Sequence, residues 1–596
     1  MAEEAQAEGT DNAEAAEAAA ESGSKRRFGG LIKRLLVGVG LLVFYAALAA
    51  GSTWPLALDL GAVLPLGTYE DATVPYMMAW GLWWTSEALA AGGLGLFDAP
   101  IFFPMENAFA LSEFSPFMGV VMTPLFSLGL SPAFAHNAAL LLALTLNGVA
   151  AYGLLRSFRL HWLSAVAGGA MMVMLPAVHQ EMGTLNFVPL FGILWTFGAM
   201  CRFSRAPSWK TGLLVALCYA ITFLLCMQYA LFLAMTALPA SLMLFRLRHL
   251  KPRGLVGLVT LLFAVALFVG PLAYIHGSTL SEEGLLQGPN ITKQGAASAL
   301  SWLTVPWRQF VMAAGVEVAA EPGNQALFPG LFKVLFACIG IFYGLRRTHL
   351  RRFTLFVVLV AALGVFWSIA ATVFAGAGGL YEQLQGAIPG LSFVASTWRV
   401  GILTQVGLVI LAALGLQRAL RVRLLVHRPG HSEPSPLRGL PIVIIFALVA
   451  TAEMFPGLQR VEETPSHASW APVGEWVKEN IPEGEAVAFA PVPGNRDRAE
   501  YEEIARWMYL QPVIDRPMVN GYALHEPRSH AAFVEAMRSF PSTAANEALD
   551  TSGARWLITT SPILKSRIVE EGPKTGWARM YTNDDLGVVV HERVTR

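Results

Sequence analysis

The sequence predicts an α-helical, polytopic membrane protein with a small α/β domain at its C-terminus. Charged residues make up only 14% of the 596-residue chain, against roughly 25% in an average soluble domain, and 55% of the residues are hydrophobic. Long apolar stretches recur from residue 31 to residue 450, which is typical of helices that cross a membrane. From residue 456 onward the chain becomes hydrophilic, so a folded domain outside the membrane is expected there.

The overall charge excludes one class of partner. The chain has 42 Lys and Arg residues and 42 Asp and Glu residues, which gives a formal net charge of zero. A neutral chain has no global field that would recruit a polyanion. We therefore expect no nucleic-acid partner.

The N-terminal 30 residues are predicted to form a disordered, acidic, cytoplasmic tail. They are rich in Ala and Glu and lack aromatic residues up to the basic cluster at 25–27. The apolar run from Leu35 to about Trp54 is longer than the about 7 to 15 residues of a cleavable signal core. It is therefore interpreted as a retained first span.

The number of spans follows from the basic clusters between the apolar segments. Under the positive-inside rule these clusters should all be cytoplasmic, so an even number of crossings should separate each neighbouring pair. The clusters lie at 25–27, 156–159, 202–205, 246–253, 346–352 and 418–428. The segments that satisfy this count are 35–57, 133–155, 162–178, 186–201, 211–226, 228–245, 254–274, 328–345, 353–376, 398–416 and 439–455.

The sequence thus predicts a transmembrane domain over 31–455 with about eleven spans and a cytoplasmic N-terminus. Large outer loops are expected at 58–132 and 275–327. The apolar segment 116–130 is too short to span and is expected to be interfacial or re-entrant.

Residues 456–596 are predicted to form a soluble extracytoplasmic α/β domain. "SWAPVGEWVKENIPEG" indicates a helix capped by Ser469, and "RAEYEEIARWMYL" indicates an amphipathic helix whose acidic part, 499–504, is a solvated face. "EAVAFAPV", "ARWLITT" and "LGVVVHERV" are typical of strands. No G-x-S-x-G, P-loop or zinc spacing occurs in this region.

An acidic pair follows the first span on the predicted outer side. Glu70 and Asp71 should be wet enough to remain ionised and close enough to reach a lipid headgroup. Asp71 could simply cap a helix that begins near Thr73, because a carboxylate satisfies free N–H groups at a helix N-terminus. It could equally be a catalytic carboxylate, and the residues alone leave both interpretations open.

Polar residues on two later segments should reach the same outer face. His179, Gln180 and Glu181 end the third predicted span, where they could accept a proton or orient a substrate hydroxyl, or merely cap a short turn. Arg399 opens the tenth predicted span on the outer side, where the charge bias disfavours it. It could bind a phosphate through its planar fork or snorkel at the interface.

Three tryptophans lie on one side of the helix that follows the acidic pair. Trp80, Trp83 and Trp84 have i, i+3, i+4 spacing. An interfacial aromatic belt is the default interpretation, and sugar stacking is the alternative.

The order of these parts resembles the GT-C superfamily of membrane glycosyltransferases. "YEDATVPYMMAWGLWW", "IFFPMENAFALSEFSPFMG" and "AVHQEMGTLNFVPLFGILW" are similar to successive signatures of its bacterial members, and "RWMYLQPVIDRPMVNGYALHEP" is similar to part of their C-terminal domain. The resemblance covers most of the chain after residue 31. It implies transfer of a sugar from a polyprenyl-phosphate donor to an acceptor on the outer face, with inversion.

The resemblance also implies roles for the candidate residues. Asp71 would be the general base, with Glu70 as a weaker alternative, and Glu181 or His179 would assist. Arg399 would hold the carrier phosphate, and Gln180 with the three tryptophans would complete the substrate site. Partners would be membrane lipids, a lipid-linked sugar, and a glycan, lipid or protein acceptor at the plasma (inner) membrane.

The chain departs from the metal-dependent members of the superfamily. The first outer loop has no D-x-D, and W-W-D-Y-G is absent from the sequence. A divalent metal or other cofactor is therefore not expected, and protein mannosyltransferases or lipid A aminoarabinose transferases are the nearer analogy. Two other readings remain open, a lipid or solute transporter and an inactive membrane assembly protein.

Overall fold

The computed structural model describes most of the chain after residue 34. The described residues are 35–285, 295–304, 326–374, 380–388, 390–394, 396–421, 423–426, 435–438, 440–492, 498–566, 568 and 576–594. The predicted disordered tail, 1–30, lies outside them.

The described part is dominated by α-helices. In chain order these are α1 (Leu35–Ser52), α2 (Thr73–Ala90), α3 (Pro116–Ser127), α4 (Pro132–Ser157), α5 (Trp162–Val173), α6 (Pro176–Gln180), α7 (Phe191–Arg205), α8 (Trp209–Leu225), α9 (Met227–Ala240), α10 (Pro252–Glu282), α11 (Leu331–Leu345), α12 (Thr348–Phe374), α13 (Leu380–Ala387), α14 (Gly401–Ala419), α15 (Leu440–Glu453), α16 (His467–Asn480), α17 (Arg498–Ile514), α18 (Arg528–Met537) and α19 (Thr543–Thr551).

Eight helical segments of the described part are long and apolar enough to cross a membrane, and each matches a predicted span. They are Leu35–Ser52, Pro132–Ser157, Trp162–Gln180, Leu185–Arg205, Met227–Leu244, Pro252–Glu282, Thr348–Phe374 and Thr397–Ala419. The other three predicted spans fall on α8, α11 and α15, which have 17, 15 and 14 residues. The predicted multi-pass helical fold is confirmed, and the count of eleven spans stays a prediction.

Two helix ends differ from the prediction. α1 ends at Ser52 rather than at residue 57, since Pro55 disfavours helical geometry in the residue before it. α10 continues to Glu282, beyond the predicted end at 274. α3 has 12 residues, about 18 Å of helix, so it is too short to cross a membrane.

α14 lies at the centre of the helical core. Nearly all of its residues are buried, and it packs against α5, α11 and α12. A side chain at Gly340 would collide with the backbone of Leu411, and one at Gly415 would collide with the backbone of Phe336. Small residues thus let the α11 and α14 backbones approach closely, as is common between helices in membranes.

The C-terminal region contains a four-stranded sheet. Its strands are β5 (Val487–Ala490), β6 (Trp556–Thr559), β7 (Trp577–Asn583) and β8 (Val588–Arg593), after β1 (Val63–Pro65), β2 (Arg423–Val426), β3 (Ser435–Arg438) and β4 (Val461–Glu463) earlier in the chain. The sheet order is β5-β6-β8-β7, with β5 and β6 parallel and the other pairs antiparallel. The predicted α/β character is confirmed.

One helix boundary in this region was predicted incorrectly. α16 begins at His467, so Ser469 lies inside it and is not its cap. Ser466 is the N-cap residue, because its backbone is already extended, with φ −71° and ψ 122°. Pro472 lies in the helix interior.

The C-terminal region packs directly on the first predicted outer loop. β4 pairs antiparallel with β1, which joins residue 63 to residue 463. The Phe103 N–H donates to the Met518 carbonyl at 2.9 Å. The C-terminal region also contacts the second predicted outer loop, where the Arg528 N–H donates to the Glu283 carboxylate at 2.9 Å. The sheet region therefore lies on the same side of the molecule as the acidic pair.

Candidate functional site

Backbone contacts hold the first outer loop against the turn after the third span. Gly67 has φ +61°, and a side chain there would collide with the Gln180 carbonyl. The Thr68 N–H donates to that carbonyl at 3.0 Å, and the Thr184 hydroxyl donates to the Tyr69 hydroxyl at 2.6 Å. The first outer loop and the turn at residues 179–181 are therefore in direct contact, as the sequence predicted.

Asp71 lies one residue before Ala72, the N-cap residue of the helix that follows, and its side chain contacts the start of that helix. Its Oδ1 accepts a hydrogen bond from the Thr73 N–H at 3.0 Å, and α2 begins at Thr73 as predicted. This contact uses only one carboxylate oxygen. This hydrogen bond and proton transfer at the other oxygen are therefore compatible.

Glu70 points away from this turn toward the C-terminal region. Its side chain is 73% exposed and forms an ion pair with Arg498 at the start of α17. Such an exposed pair contributes little to stability. Glu70 thus contacts the surface of the C-terminal region and does not face the buried Glu181.

Glu181 and Arg399 form a two-pronged ion pair. The Arg399 Nε and Nη2 atoms donate to the two Glu181 carboxylate oxygens, each at 3.1 Å. Glu181 is buried, and the guanidinium of Arg399 lies 4.2 Å from the centre of the Phe187 ring. Since a guanidinium has five N–H donors, donors remain for a further ligand.

Tyr69 lies beside this ion pair. Burial raises the pKa of Tyr69, the charge of Glu181 raises it further, and Arg399 and Thr184 lower it. The phenol is therefore protonated at neutral pH. Because Thr184 donates to the Tyr69 oxygen, the phenolic proton is available to another acceptor.

The two residues before Glu181 make interior contacts. His179 is buried, with Nδ1 at 3.1 Å from the Leu175 carbonyl, and its Nε2 has no hydrogen-bond partner in the described part of the chain. The Gln180 side chain donates to the Ala326 carbonyl at 2.9 Å. Both assignments as site residues stay predictions.

The three tryptophans have different surroundings. Trp80 is fully buried, and its indole N–H donates to the Gln511 side chain of α17 at 2.6 Å. Trp84 donates to the Leu96 carbonyl at 2.9 Å, and Trp83 is half-buried beside it. The burial of Trp80 favours a packing role there, while sugar stacking stays a prediction for the other two.

Two residues of the C-terminal region lie near Asp71 and were not predicted. Burial raises the pKa of Tyr522, and Tyr69 and Asp71 raise it further, so this phenol lies close to both. Burial also raises the pKa of Glu502, which accepts from the Ala72 N–H. The acidic segment 499–504 was predicted to be a solvated face. Glu502 is instead half-buried and lies against the start of α2, so that prediction was wrong for this residue.

Glu113 is a further buried carboxyl that sequence reasoning missed. It is 8% exposed, and its Oε1 accepts from the Gln228 amide at 3.0 Å. Burial raises its pKa to about 7, although Gln228 and the charge of Arg399 lower it. A single acid within the apolar run "FALSEFSPFMG" was the signal that could have revealed it.

The described residues contain no cluster of three or more His, Cys, Asp or Glu side chains arranged to hold a metal ion. The expectation of a metal-independent site stays a prediction.

The comparisons with known proteins concern the fold. The sequence matches no family model and no curated protein. The cryo-EM structure of the arabinofuranosyltransferase AftD from Mycobacteria is similar at TM-score 0.50 and 14% identity, over 93% of this chain and 40% of that one. ArnT from Cupriavidus metallidurans bound to undecaprenyl phosphate has TM-score 0.46 and 13% identity, over 93% of this chain and 98% of that one.

At these identities the likeness is one of fold alone. The AftD comparison agrees with the predicted multi-pass helical fold. This chain spans 40% of the length of that arabinofuranosyltransferase.

Proposed function

We propose that this protein is a membrane glycosyltransferase that moves a sugar from a polyprenyl-phosphate donor to an acceptor on the outer face, with inversion. The observation that carries the proposal is the meeting of three distant segments beside the C-terminal region. These are the Gly67–Asp71 stretch, the turn with Glu181 and the 3-10 turn with Arg399. The fold shared with an arabinofuranosyltransferase supports sugar transfer as the chemistry.

In this proposal Asp71 is the general base. Its carboxylate accepts the proton of the acceptor hydroxyl as that oxygen attacks the anomeric carbon. The bond between the anomeric carbon and the phosphate oxygen breaks, and the polyprenyl phosphate leaves with the electron pair. A single displacement of this kind inverts the anomeric carbon.

Arg399 is assigned to the leaving phosphate. Its fixed positive charge would stabilise the negative charge that develops on the departing group. Glu181 has both oxygens engaged with this guanidinium, so it is a positioning residue rather than a second base. Tyr69 can offer its phenolic proton to a substrate oxygen next to the pair.

The proposal includes a location and partners. The N-terminus would be cytoplasmic and the C-terminal region extracytoplasmic, in the plasma (inner) membrane. The partners would be membrane lipids, a lipid-linked sugar, and a glycan, lipid or protein acceptor. No cofactor or divalent metal is invoked.

Asp71→Asn tests the proposal directly. Asparagine keeps the size of Asp71 and an oxygen that can accept from the Thr73 N–H, but it cannot take up the proton, so turnover should fall by about 10²- to 10⁴-fold. The measurement is release of polyprenyl phosphate from a panel of polyprenyl-phosphate pentoses and hexoses, with membrane extract as the source of acceptor.

Glu70→Gln is the matched control, because Glu70 is adjacent in sequence but exposed. It should keep near wild-type turnover. Wild-type turnover in the Asp71→Asn variant would contradict the assignment of the base. A wild-type protein that moves intact donor across vesicles without releasing polyprenyl phosphate would instead indicate a transporter.

A further inference from the structure

Four arginines from three segments lie together at the far end of α7 from the proposed transfer site. Arg205 ends α7, Arg246 and Arg248 lie between α9 and α10, and Arg352 lies near the start of α12. The Arg248 guanidinium donates to the Arg205 carbonyl, and the Arg352 guanidinium donates to the Phe245 carbonyl. Burial and the charges of the three other arginines lower the pKa of Arg246, which confirms that they are neighbours.

This arginine cluster has no acidic counterpart among the described residues. None of the salt bridges found in the described part joins any of its four guanidinium groups to a carboxylate. The Arg246 Nε atom is buried and has no hydrogen-bond partner in the same part of the chain. Buried donors are normally satisfied, so the cluster is chemically suited to an anion.

An apolar cavity of about 350 Å³ adjoins the arginine cluster. It lies between α7, α8, α9 and α10 and is lined mainly by aliphatic and aromatic side chains such as Phe203, Val215, Leu233, Leu258 and Leu261. Ser204, Phe245 and His249 also line it, and each is next in sequence to an arginine of the cluster. The cavity and the four charges therefore form one continuous feature.

The surroundings of this cavity expose apolar side chains. Leu238, Leu242 and Leu262 are 66%, 69% and 70% exposed. Exposed apolar side chains on apolar helices are typical of a surface in contact with acyl chains. A ligand that enters here thus comes from the bilayer.

We propose that this cavity and the arginine cluster bind one anionic phospholipid, with an acyl chain in the cavity and the phosphate on the guanidinium groups. Charge complementarity selects an anionic headgroup. The arginine cluster would repel the positively charged group of a zwitterionic headgroup, and no carboxylate of the described residues pairs with the cluster to offset that repulsion. The basic segments involved, 202–205, 246–253 and 346–352, are predicted to be cytoplasmic, so the lipid belongs to the inner leaflet.

This site is separate from the proposed transfer site. α7 begins beside Phe187, which contacts Arg399, and ends at Arg205 after 15 residues, or about 22 Å of helix. The proposal therefore does not depend on the glycosyltransferase assignment.

The test measures lipid binding to the purified full-length protein by native mass spectrometry in a neutral detergent. Phosphatidylglycerol should remain bound, and phosphatidylcholine with the same acyl chains should not compete with it. The double variant Arg246→Gln, Arg248→Gln should weaken phosphatidylglycerol binding by about thirtyfold, since each basic residue near an anionic headgroup contributes about fivefold. Arg346→Gln is the matched control, because Arg346 is exposed on the same predicted side but outside the cluster.

Further measurements distinguish binding of a whole phospholipid from binding of its phosphate alone, and they exclude misfolding. Glycerophosphoglycerol and inorganic phosphate carry the anionic group without acyl chains and should bind at least tenfold more weakly. Ala234→Phe places a ring in the cavity without touching the charges and should also reduce retention of the lipid. Equal binding of the headgroup alone, equal competition by phosphatidylcholine, or unchanged affinity in a double variant that melts like the wild type would each overturn the proposal.

Discussion

Arg399 has two donor edges, and only one of them is occupied by Glu181. The Nε and Nη2 atoms pair with the carboxylate, which fixes the plane of the guanidinium against Phe187. A phosphate at the remaining N–H groups would then meet a charge already held in place. The interfacial interpretation, in which the side chain only snorkels, requires no such plane.

Arg399→Lys separates these two interpretations. An ammonium is a point charge without a matched fork, so it cannot keep both the Glu181 pair and a planar phosphate contact. We expect polyprenyl-phosphate binding to weaken about tenfold or more, because hydrogen bonds to charged groups contribute about 1.5 to 3 kcal/mol. Thermal-shift titration with undecaprenyl phosphate measures the change. Equal affinity in the lysine variant would support the snorkelling interpretation.

Glu113 predicts a dependence of stability on pH. Its folded pKa of about 7 lies above the unfolded value of 4.5, so the folded protein holds the proton more tightly. The stabilisation is therefore complete below pH 4.5, declines as the pH rises toward 7, and is absent above that. Glu113→Gln cannot ionise and should gain up to about 3 kcal/mol over wild type at pH 8, but little at pH 4.5.

Thermal melts of both proteins at pH 8 and pH 4.5 measure this difference. Glu106→Gln, an exposed acid in the same outer loop, is the control and should show no such pH dependence. A difference between Glu113→Gln and wild type that is the same at both pH values would show that folding does not raise the pKa of Glu113.

The residues of the candidate site differ in how far sequence could predict them. The contact between Asp71 and the first N–H of α2 depends on a local rule about helix starts, so it could be predicted together with the start of α2. Glu502 reaches the start of α2 only because α17 packs on α2, and that contact joins segments more than 400 residues apart. The Glu181–Arg399 pair spans 218 residues, so each member could be proposed from sequence but not their contact.

At the scale of secondary structure, α2 and α17 hold the C-terminal region against the transmembrane part. Trp80 on α2 is fully buried and donates to Gln511, which is itself 2% exposed. The Gln511 amide also donates to the Pro100 carbonyl at 2.7 Å, so one side chain links three segments.

Trp80→Phe tests this contact between the helices. Phenylalanine keeps an aromatic ring but leaves the Gln511 oxygen buried without its donor, which should cost about 1 to 3 kcal/mol and lower Tm. Trp83→Phe is the matched control, since Trp83 is only half-buried, and it should change Tm less. Weaker donor binding by Trp80→Phe at an unchanged Tm would instead support sugar stacking by Trp80.

The strands show why hydrophobic pattern predicts some elements and not others. β5 and β6 are buried throughout, and β8 is buried over most of its length, so all three could be predicted from apolar runs. β7 is an edge strand in which only Trp577 is buried, so its sequence lacks that signal. The pairing of β1 with β4 involves three residues from each strand, too few for any sequence pattern.

For the molecule as a whole, the prediction concerns which helix ends lie on the same side of the membrane. The C-terminal region contacts the first outer loop through β1 and β4, and it contacts the end of α10 through Glu283 and Arg528. The short connection between α11 and α12, just before residue 350, lies near the start of α10, which is the opposite end of that helix. The arginine cluster lies there as well. The positive-inside rule then places the two ends in different compartments.

Reporter fusions at three positions test this arrangement. A reporter after residue 350 should be cytoplasmic, and one at residue 596 should be extracytoplasmic. A reporter inserted at Leu94, which is fully exposed in the first outer loop, should match the one at residue 596, because direct contacts hold these regions together. If the reporters at 350 and 596 report the same compartment, the predicted count of eleven spans is wrong. If the reporter at Leu94 is cytoplasmic, Asp71 and Arg399 cannot act on an outer-face acceptor, whatever the number of spans.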